Sequence, residues 1–348
     1  MIAPSNKHLR IVIADDSLVA REMLAQILES DPDIEVVGQA KDGEEAVDMV
    51  NRLRPDLVTM DIHMPKMDGL KATEKIMAFH PTPILVVSSS VHGEGMGSAF
   101  DALTLGALEV IKKPEPRDWA DLEKIGRDVL RKVKILANVR VITHIRGRHE
   151  HADTIEHRVG GAVARSIIAI GSSTGGPSAL LAVLGRLSAN LPVPILVAQH
   201  IADGFVPGLV SWLNSGCEID VVAGEAGVRP SAGTAYFAST GSNMVMDGSV
   251  LKFQAPARGQ LYIPSADTLF ESVATCYGKR SIGVLLTGMG ADGAIGLKRM
   301  NERGAATIAQ DEATSTVFGM PKAAIDMGAV DVVLAVNDIA AGIEALLG

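Results

Sequence analysis

The sequence predicts an α/β protein made of two doubly wound parallel-sheet domains. Apolar runs of strand length alternate with helical patterns in both halves of the chain, the signature of successive βα units. The alternation breaks once, between Leu130 and Gly160, where seven Lys or Arg, three acids and four of the nine histidines share a polar stretch. With 348 residues, each half is long enough to bury a core of its own.

In the first half, strands are expected at Leu9–Ala14, Ile34–Ala40, Leu57–Asp61, Ile84–Ser88 and Val110–Lys112, separated by helical patterns such as Leu18–Glu29 and Gly43–Leu53. Five such units make a domain over residues 1–128. Residues 129–160 read as a connector that begins as a helix, and the histidines His144, His149, His151 and His157 within it read as solvated linker rather than a metal site. A second βα series fills residues 161–348. It starts at Ser166–Ile170, continues through a strand over Pro192–Gln199, and includes a hairpin-rich stretch near Gly233–Phe253. A strand over Ile282–Leu286 follows, and a helix over Asn337–Leu347 closes the series.

Composition removes several function classes. A formal net charge of −9 argues against general nucleic-acid binding, which wants a basic face for phosphates. No apolar run reaches the roughly 18 to 20 residues of a membrane span, and the N-terminus lacks a signal-peptide core, so a cytoplasmic protein without membrane insertion is expected. Cys217 and Cys276 are far apart and form no metal or redox spacing.

The loops of the first half concentrate acids. Asp15 and Asp16 follow the first strand and Asp61 ends the third, so a parallel sheet brings all three to one C-terminal edge. Three acids held together repel unless a cation sits among them, and hard oxygen ligands suit Mg²⁺. Ser88 ends the fourth strand and Lys113 follows the fifth. A hydroxyl and an ammonium beside carboxylates and Mg²⁺ make a site able to hold a phosphoryl group, with Asp61 as its acceptor.

Over about residues 7 to 128 these features resemble the receiver domain of bacterial two-component response regulators. Asp15, Asp16, Asp61, Ser88 and Lys113 fall at five matching positions, and Met64-Pro65-Lys66-Met67-Asp68-Gly69 follows the acceptor as in that family. The resemblance implies that Asp61 takes phosphate from a histidine kinase, with Asp15, Asp16, Asp61 and the backbone carbonyl of His63 around Mg²⁺. Val110 departs from the aromatic that many receivers carry there.

The second half must supply the output. Gly171-Ser172-Ser173-Thr174-Gly175 matches G-x-S-x-G centred on Ser173, after a strand and before a helix over Pro177–Leu187. A sharp turn there would expose the serine hydroxyl, and free N–H groups at the helix start could stabilise an oxyanion. A phosphate cradle would need a GxGxxG spacing or a Walker lysine, and neither is present. His200, the single histidine of the last 188 residues, ends the next strand and is the available base. Asp292 lies in the turn Thr287-Gly-Met-Gly-Ala-Asp-Gly293 after a third strand. It reads equally as an orienting carboxylate or as a cap of the helix Gly293–Arg303. The order Ser, His, Asp differs from that of ordinary α/β-hydrolases.

Taken together with the receiver, Gly-Ser-Ser-Thr-Gly-Gly, Gln-His, Leu-Thr-Gly-Met-Gly-Ala-Asp-Gly and Ala-Gln-Asp-Glu-Ala-Thr-Ser resemble the chemotaxis receptor methylesterases, the CheB family, over essentially the whole chain. That resemblance implies a Rossmann-like methylesterase domain at 161–348. It makes Ser173 the nucleophile, His200 the base and acid, Asp292 the carboxylate of the triad, Thr174 the supporting neighbour and Met289 the oxyanion amide. It further implies hydrolysis of glutamate methyl esters, and deamidation of glutamines, on the cytoplasmic helices of chemoreceptors. The esterase chemistry itself would need no cofactor. A chemotaxis-type histidine kinase would be the phosphodonor, and the unphosphorylated receiver would restrain the catalytic domain. Two other outputs have less support: a DNA- or partner-binding regulator lacks a helix-turn-helix signal and a basic output face, and a nucleotide-binding module lacks the loop spacing.

Overall fold

A computed structural model describes residues 8–89, 96–115, 119–139, 141 and 163–348. It divides into two compact units, Met1–Gly147 and Arg148–Gly348.

The first unit runs β1 (Leu9–Ala14), α1 (Leu18–Glu29), β2 (Ile34–Ala40), α2 (Gly43–Leu53), β3 (Leu57–Met60), α3 (Gly69–Phe79), β4 (Ile84–Ser88), α4 (Met96–Thr104), β5 (Glu109–Lys112) and α5 (Trp119–Leu136). Its five strands lie in the order β2-β1-β3-β4-β5, all parallel, so every strand delivers its following loop to the same edge. β3 and β4 are buried along their whole length, as expected of strands covered by helices on both faces. Short polar side chains start the first three helices: Ser17, Asp42 and Asp68 each accept from the amide three residues on. One core side chain set, including Ile11, Ile13, Leu24, Leu28, Leu57, Leu85 and Val133, joins the sheet to α1 and α5.

α5 continues unbroken to Leu136, across residue 129 where the composition suggests a connector. Two of the basic residues counted there are anchored to the first unit: Lys132 pairs with Glu109 at 3.1 Å and Lys134 with Asp31 at 2.6 Å. A basic composition is equally that of a helix face turned to water, and charge alone does not separate the two. His144, His149, His151 and His157 lie outside the described residues.

The second unit runs β6 (Ile167–Ser172), α6 (Gly176–Leu184), β7 (Ile195–Gln199), α7 (Val206–Ser215), β8 (Asp220–Ala223), β9 (Thr234–Phe237), β10 (Asn243–Asp247), β11 (Val250–Gln254), α8 (Ala266–Tyr277), β12 (Ser281–Leu285), α9 (Ala294–Glu302), β13 (Ala306–Gln310), α10 (Met320–Asp326), β14 (Val332–Leu334) and α11 (Ile339–Leu347). Seven parallel strands are ordered β14-β13-β12-β6-β7-β9-β8, while β10 and β11 form a separate antiparallel hairpin. The chain moves one way from β6 through β7 and the other way from β12 through β13, so the strand order reverses between β6 and β12. Open α/β sheets place their sites at such a reversal. The core beneath it holds Leu269, Phe270, Leu285, Leu297 and Met300, all fully buried. Among the described residues, no helix is long and apolar enough to cross a membrane.

Candidate active site

Three adjacent strands of the second unit, β12, β6 and β7, end beside one another, and the residue pairs Leu285 with Gly171 and Ser172 with Gln199 mark their last rungs. The turns that follow carry Asp292, Ser173 and His200.

Ser173 opens the turn after β6. Its N–H donates to the carbonyl of Thr287 at 3.0 Å, and its carbonyl accepts from Gly176 N–H at 2.8 Å and from Gln199 Nε2 at 2.9 Å. The sharp turn expected from the motif is present, with its left-handed residue at Gly175, φ +74°. Exposure is smaller than a protruding elbow would give, since Ser173 is 8% exposed. Gly176 is required by close approach: a Cβ there would stand 2.0 Å from Gln199 Oε1. The buried Gln199 amide thus ties the serine turn to β7, and Ser172 Oγ donates to its Oε1 at 2.6 Å. Pro177 lies in the first turn of α6.

His200 follows β7. Its N–H donates to Ser172 carbonyl at 3.0 Å, so its backbone is held against the neighbouring strand. The ring Nε2 meets Asp292 Oδ2 at 2.8 Å. The other nitrogen, Nδ1, is buried and has no hydrogen-bond partner among the described residues. No hydrogen bond joins the Ser173 hydroxyl to the ring, so two members of the expected triad are in contact and the third lies on the adjacent turn.

Asp292 serves a helix as well as the histidine, though not the helix read from sequence. Gly293 occupies the cap of α9 without a side-chain bond. Asp292 sits instead on the N-terminus of α8: Oδ2 accepts from Ala266 N–H at 2.7 Å, and Oδ1 from Ser265 Oγ at 2.8 Å and Asp267 N–H at 3.2 Å. Burial alone would raise its pKa, but the His200 bond, the His200 charge, and the Ala266 and Ser265 bonds outweigh that and hold the carboxyl below the usual range. Asp267 returns the arrangement by accepting from Gly296 N–H of α9 at 2.7 Å. Burial, with the neighbouring Asp292 charge, pushes Asp267 up to about 6 against the pull of backbone amides.

Thr174 is buried, and its carbonyl accepts from Thr287 Oγ1 at 3.0 Å. Met289 lies in the turn after β12 and is half-buried. Among the described residues, neither the Thr174 nor the Met289 N–H is engaged in a hydrogen bond. Sequence reasoning missed Tyr262, whose ring lies parallel to His200 at 4.9 Å between centroids and 7° between planes. It also missed Ser265, although a serine directly before the helical pattern Ala266–Tyr277 is a readable cap.

The first unit has its own polar centre at the sheet edge. Carboxylate oxygens of Asp15, Asp16 and Asp61 lie within 4.8 Å of one another. Lys113 Nζ reaches Asp15 at 2.8 Å and Asp61 at 3.0 Å. Burial raises the Asp61 pKa most, Lys113 opposes it, the Asp15 charge adds to it, and the net shift is upward. For Lys113, burial acts downward, but its bonds to both carboxylates prevail and raise it. Ser88, fully buried at the end of β4, accepts from Lys113 N–H at 2.9 Å through its carbonyl. His63 is exposed two residues beyond Asp61.

A family model described as response regulator receiver domain matches residues 11–122, and one described as CheB methylesterase matches residues 168–343. Protein-glutamate methylesterase/protein-glutamine glutaminase 2 of Anaeromyxobacter dehalogenans is 44% identical, covering 97% of this chain and 97% of its own length. Protein-glutamate methylesterase/protein-glutamine glutaminase of Nitrosospira multiformis is 40% identical with 97% of each covered, and protein-glutamate methylesterase/protein-glutamine glutaminase 1 of Syntrophus aciditrophicus is 42% identical over 98% and 99%. Matches of this extent place both units in one known architecture: the chain belongs to the CheB methylesterase family, with a response regulator receiver domain ahead of its methylesterase domain.

Proposed function

We propose that this protein is a phosphorylation-regulated serine esterase that hydrolyses glutamate 5-methyl esters, and deamidates glutamines, on the cytoplasmic helices of chemoreceptors. The observation that carries the reading is the His200–Asp292 bond at 2.8 Å, on the strand end beside the Ser173 turn. An ionised Asp292 only accepts, so Nε2 of His200 carries the proton and Nδ1 keeps its lone pair. Nδ1 is buried without a hydrogen-bond partner among the described residues, and it is the nitrogen that takes the Ser173 proton. Catalytic bonds are often long or unformed without substrate, and the Ser173–Nδ1 bond is taken to form with substrate in place.

Ser173 Oγ attacks the ester carbonyl as its proton passes to His200. The oxyanion is met by the Thr174 and Met289 N–H groups, the first of which follows the nucleophile as such sites require. Collapse breaks the bond to the methoxy oxygen, which leaves as methanol with the proton from His200. Water, deprotonated by the same ring, then cleaves the acyl-enzyme to glutamate and free Ser173. An amide substrate follows the same course with ammonia leaving.

In the receiver domain Asp61 is the phosphoryl acceptor, and Lys113 and Ser88 support the bound group. Asp15, Asp16 and Asp61 form a hard-oxygen set that suits Mg²⁺, to which the family resemblance adds the His63 carbonyl. When bound, that ion offsets phosphoryl charge. The phosphodonor is a chemotaxis-type histidine kinase, and the protein works in the cytoplasm without nucleic acid and without inserting into the membrane. The full chain, given receptors bearing methyl-esterified glutamates and unmodified glutamines, is expected to release methanol and ammonia. Release of neither would contradict the proposal.

A further inference from the structure

Holding a catalytic imidazole takes more than one bond. The backbone of His200 is fixed on both sides: its N–H reaches Ser172 and its carbonyl accepts from Gln199 Nε2 at 2.8 Å. Among the described residues its ring is hydrogen-bonded at Nε2 alone, so it stays free to pivot about the line to Asp292, and that pivot sweeps Nδ1 toward or away from the serine turn. Tyr262 lies against one face of the ring in an offset stack, which opposes the pivot.

Tyr262 is itself held by the machinery it would serve. Its carbonyl accepts from Gln260 Nε2 at 2.9 Å, and Gln260 is locked to the buried Asn243 through bonds of 3.0 and 3.1 Å. Asn243 Oδ1 in turn accepts from Ser265 N–H at 2.9 Å, and Ser265 Oγ donates to Asp292 at 2.8 Å. The loop that carries the tyrosine and the carboxylate that holds the histidine are therefore one connected network. The far end of Tyr262 reaches the turn of Met289: a Cβ on Gly290 would stand 2.4 Å from the tyrosine Oη. Gly290 is left-handed, φ +89°, so backbone and contact both call for glycine at this position.

We infer that Tyr262 is a positioning residue for the esterase reaction, its ring clamping the His200 imidazole in the plane from which Nδ1 serves Ser173. The inference rests on the esterase reading of the site. It requires an aromatic ring rather than a hydroxyl, so Tyr262→Phe and Tyr262→Leu divide it cleanly.

Methanol release from methylated receptors and the NMR signals of the His200 ring protons are measured on the full chain and both variants. Tyr262→Leu is expected to lower kcat by about 10- to 100-fold, the cost of a reactant misplaced by around 1 Å, with KM held within about twofold. Tyr262→Phe is expected to keep kcat within about threefold. The ring protons should lose their upfield ring-current displacement in Tyr262→Leu and keep it in Tyr262→Phe. A Leu variant with wild-type kcat, a Phe variant as slow as Leu, or a loss confined to KM would overturn the assignment; the last would make Tyr262 a substrate contact. A wild type that releases no methanol would remove the esterase reading, and the ring-proton comparison would still decide whether Tyr262 holds the imidazole.

Discussion

At the scale of single residues, Asp292 answers two demands with one carboxylate. Oδ2 accepts from both His200 Nε2 and Ala266 N–H, while Oδ1 faces Ser265 and Asp267. This sharing sets an order among its variants. On the proposed mechanism, Asp292→Ala removes the charge that stabilises the imidazolium and the acceptor that fixes the tautomer, and kcat is expected to fall on the order of 10⁴-fold. Asp292→Asn is expected to fall less, because a carbonyl oxygen at the Oδ2 position still accepts from Nε2–H and Ala266, while the amide donates to Ser265 Oγ at the cost of the bond from Asp267 N–H. Steady-state methanol release from the two variants checks the order, and an Asn variant as slow as Ala would show that charge alone matters. The sequence placed Asp292 in the right turn but offered α9 as the helix to cap. Local spacing sees only the helix that follows, whereas α8 reaches Asp292 by folding back from 27 residues earlier in the chain, the separation of Ser265 and Asp292. Tyr262 was illegible for the same reason: nothing in its neighbours foretells a stacking partner at residue 200.

At the scale of elements, α8 and α9 exchange acidic caps. Asp292 lies on the first helix and Asp267 on the second, so each N-terminus receives a carboxylate, as the positive end of a helix favours. The two acids are also neighbours, and only one is held low. Asp267, pushed up to about 6 from an ordinary 3.8, binds its proton more tightly in the folded protein than in the unfolded chain. Between those values the folded state holds more protons, so this group's contribution to stability falls as pH rises from about 4 to about 6. Asp267→Asn keeps an oxygen for Gly296 N–H and cannot ionise. The urea midpoint of the variant relative to the wild type is therefore expected to be higher at pH 7 than at pH 4. A relative midpoint independent of pH would show that Asp267 does not titrate in this window. The first sheet, and β6, β7 and β12 of the second, were marked in the sequence as apolar runs, and helices α1 and α2 have the bounds that periodicity gives them. β8, β13 and β14 were not marked, and β9, read as part of a hairpin-rich stretch, instead pairs in parallel with β7 and β8. The end of α5 was hidden because its solvent face is as basic as the connector beyond it.

At the scale of the whole molecule, two parallel sheets each present a polar centre at the C-terminal edge, one built from acids and a lysine and the other from serine, histidine and aspartate. Both edges could be located in the sequence because parallel βα units leave no choice about where their loops gather. What that logic could not supply was contact within an edge, and there the structure joins His200 to Asp292 while leaving the Ser173 hydroxyl unbonded to the ring. The proposal needs that hydroxyl to act as nucleophile in a chain whose receiver domain controls the rate. Methanol release from methyl-esterified chemoreceptors, measured on the full chain with and without a small acyl phosphate, tests this directly. Wild type and Ser173→Ala of matched circular dichroism are compared, with Asp61→Asn in the same assay. The wild type is expected to be accelerated by the phosphodonor, Asp61→Asn to keep only the basal rate, and Ser173→Ala to lose at least about 10³-fold in both conditions. A folded Ser173→Ala protein that releases methanol within about tenfold of the wild-type rate would contradict the account.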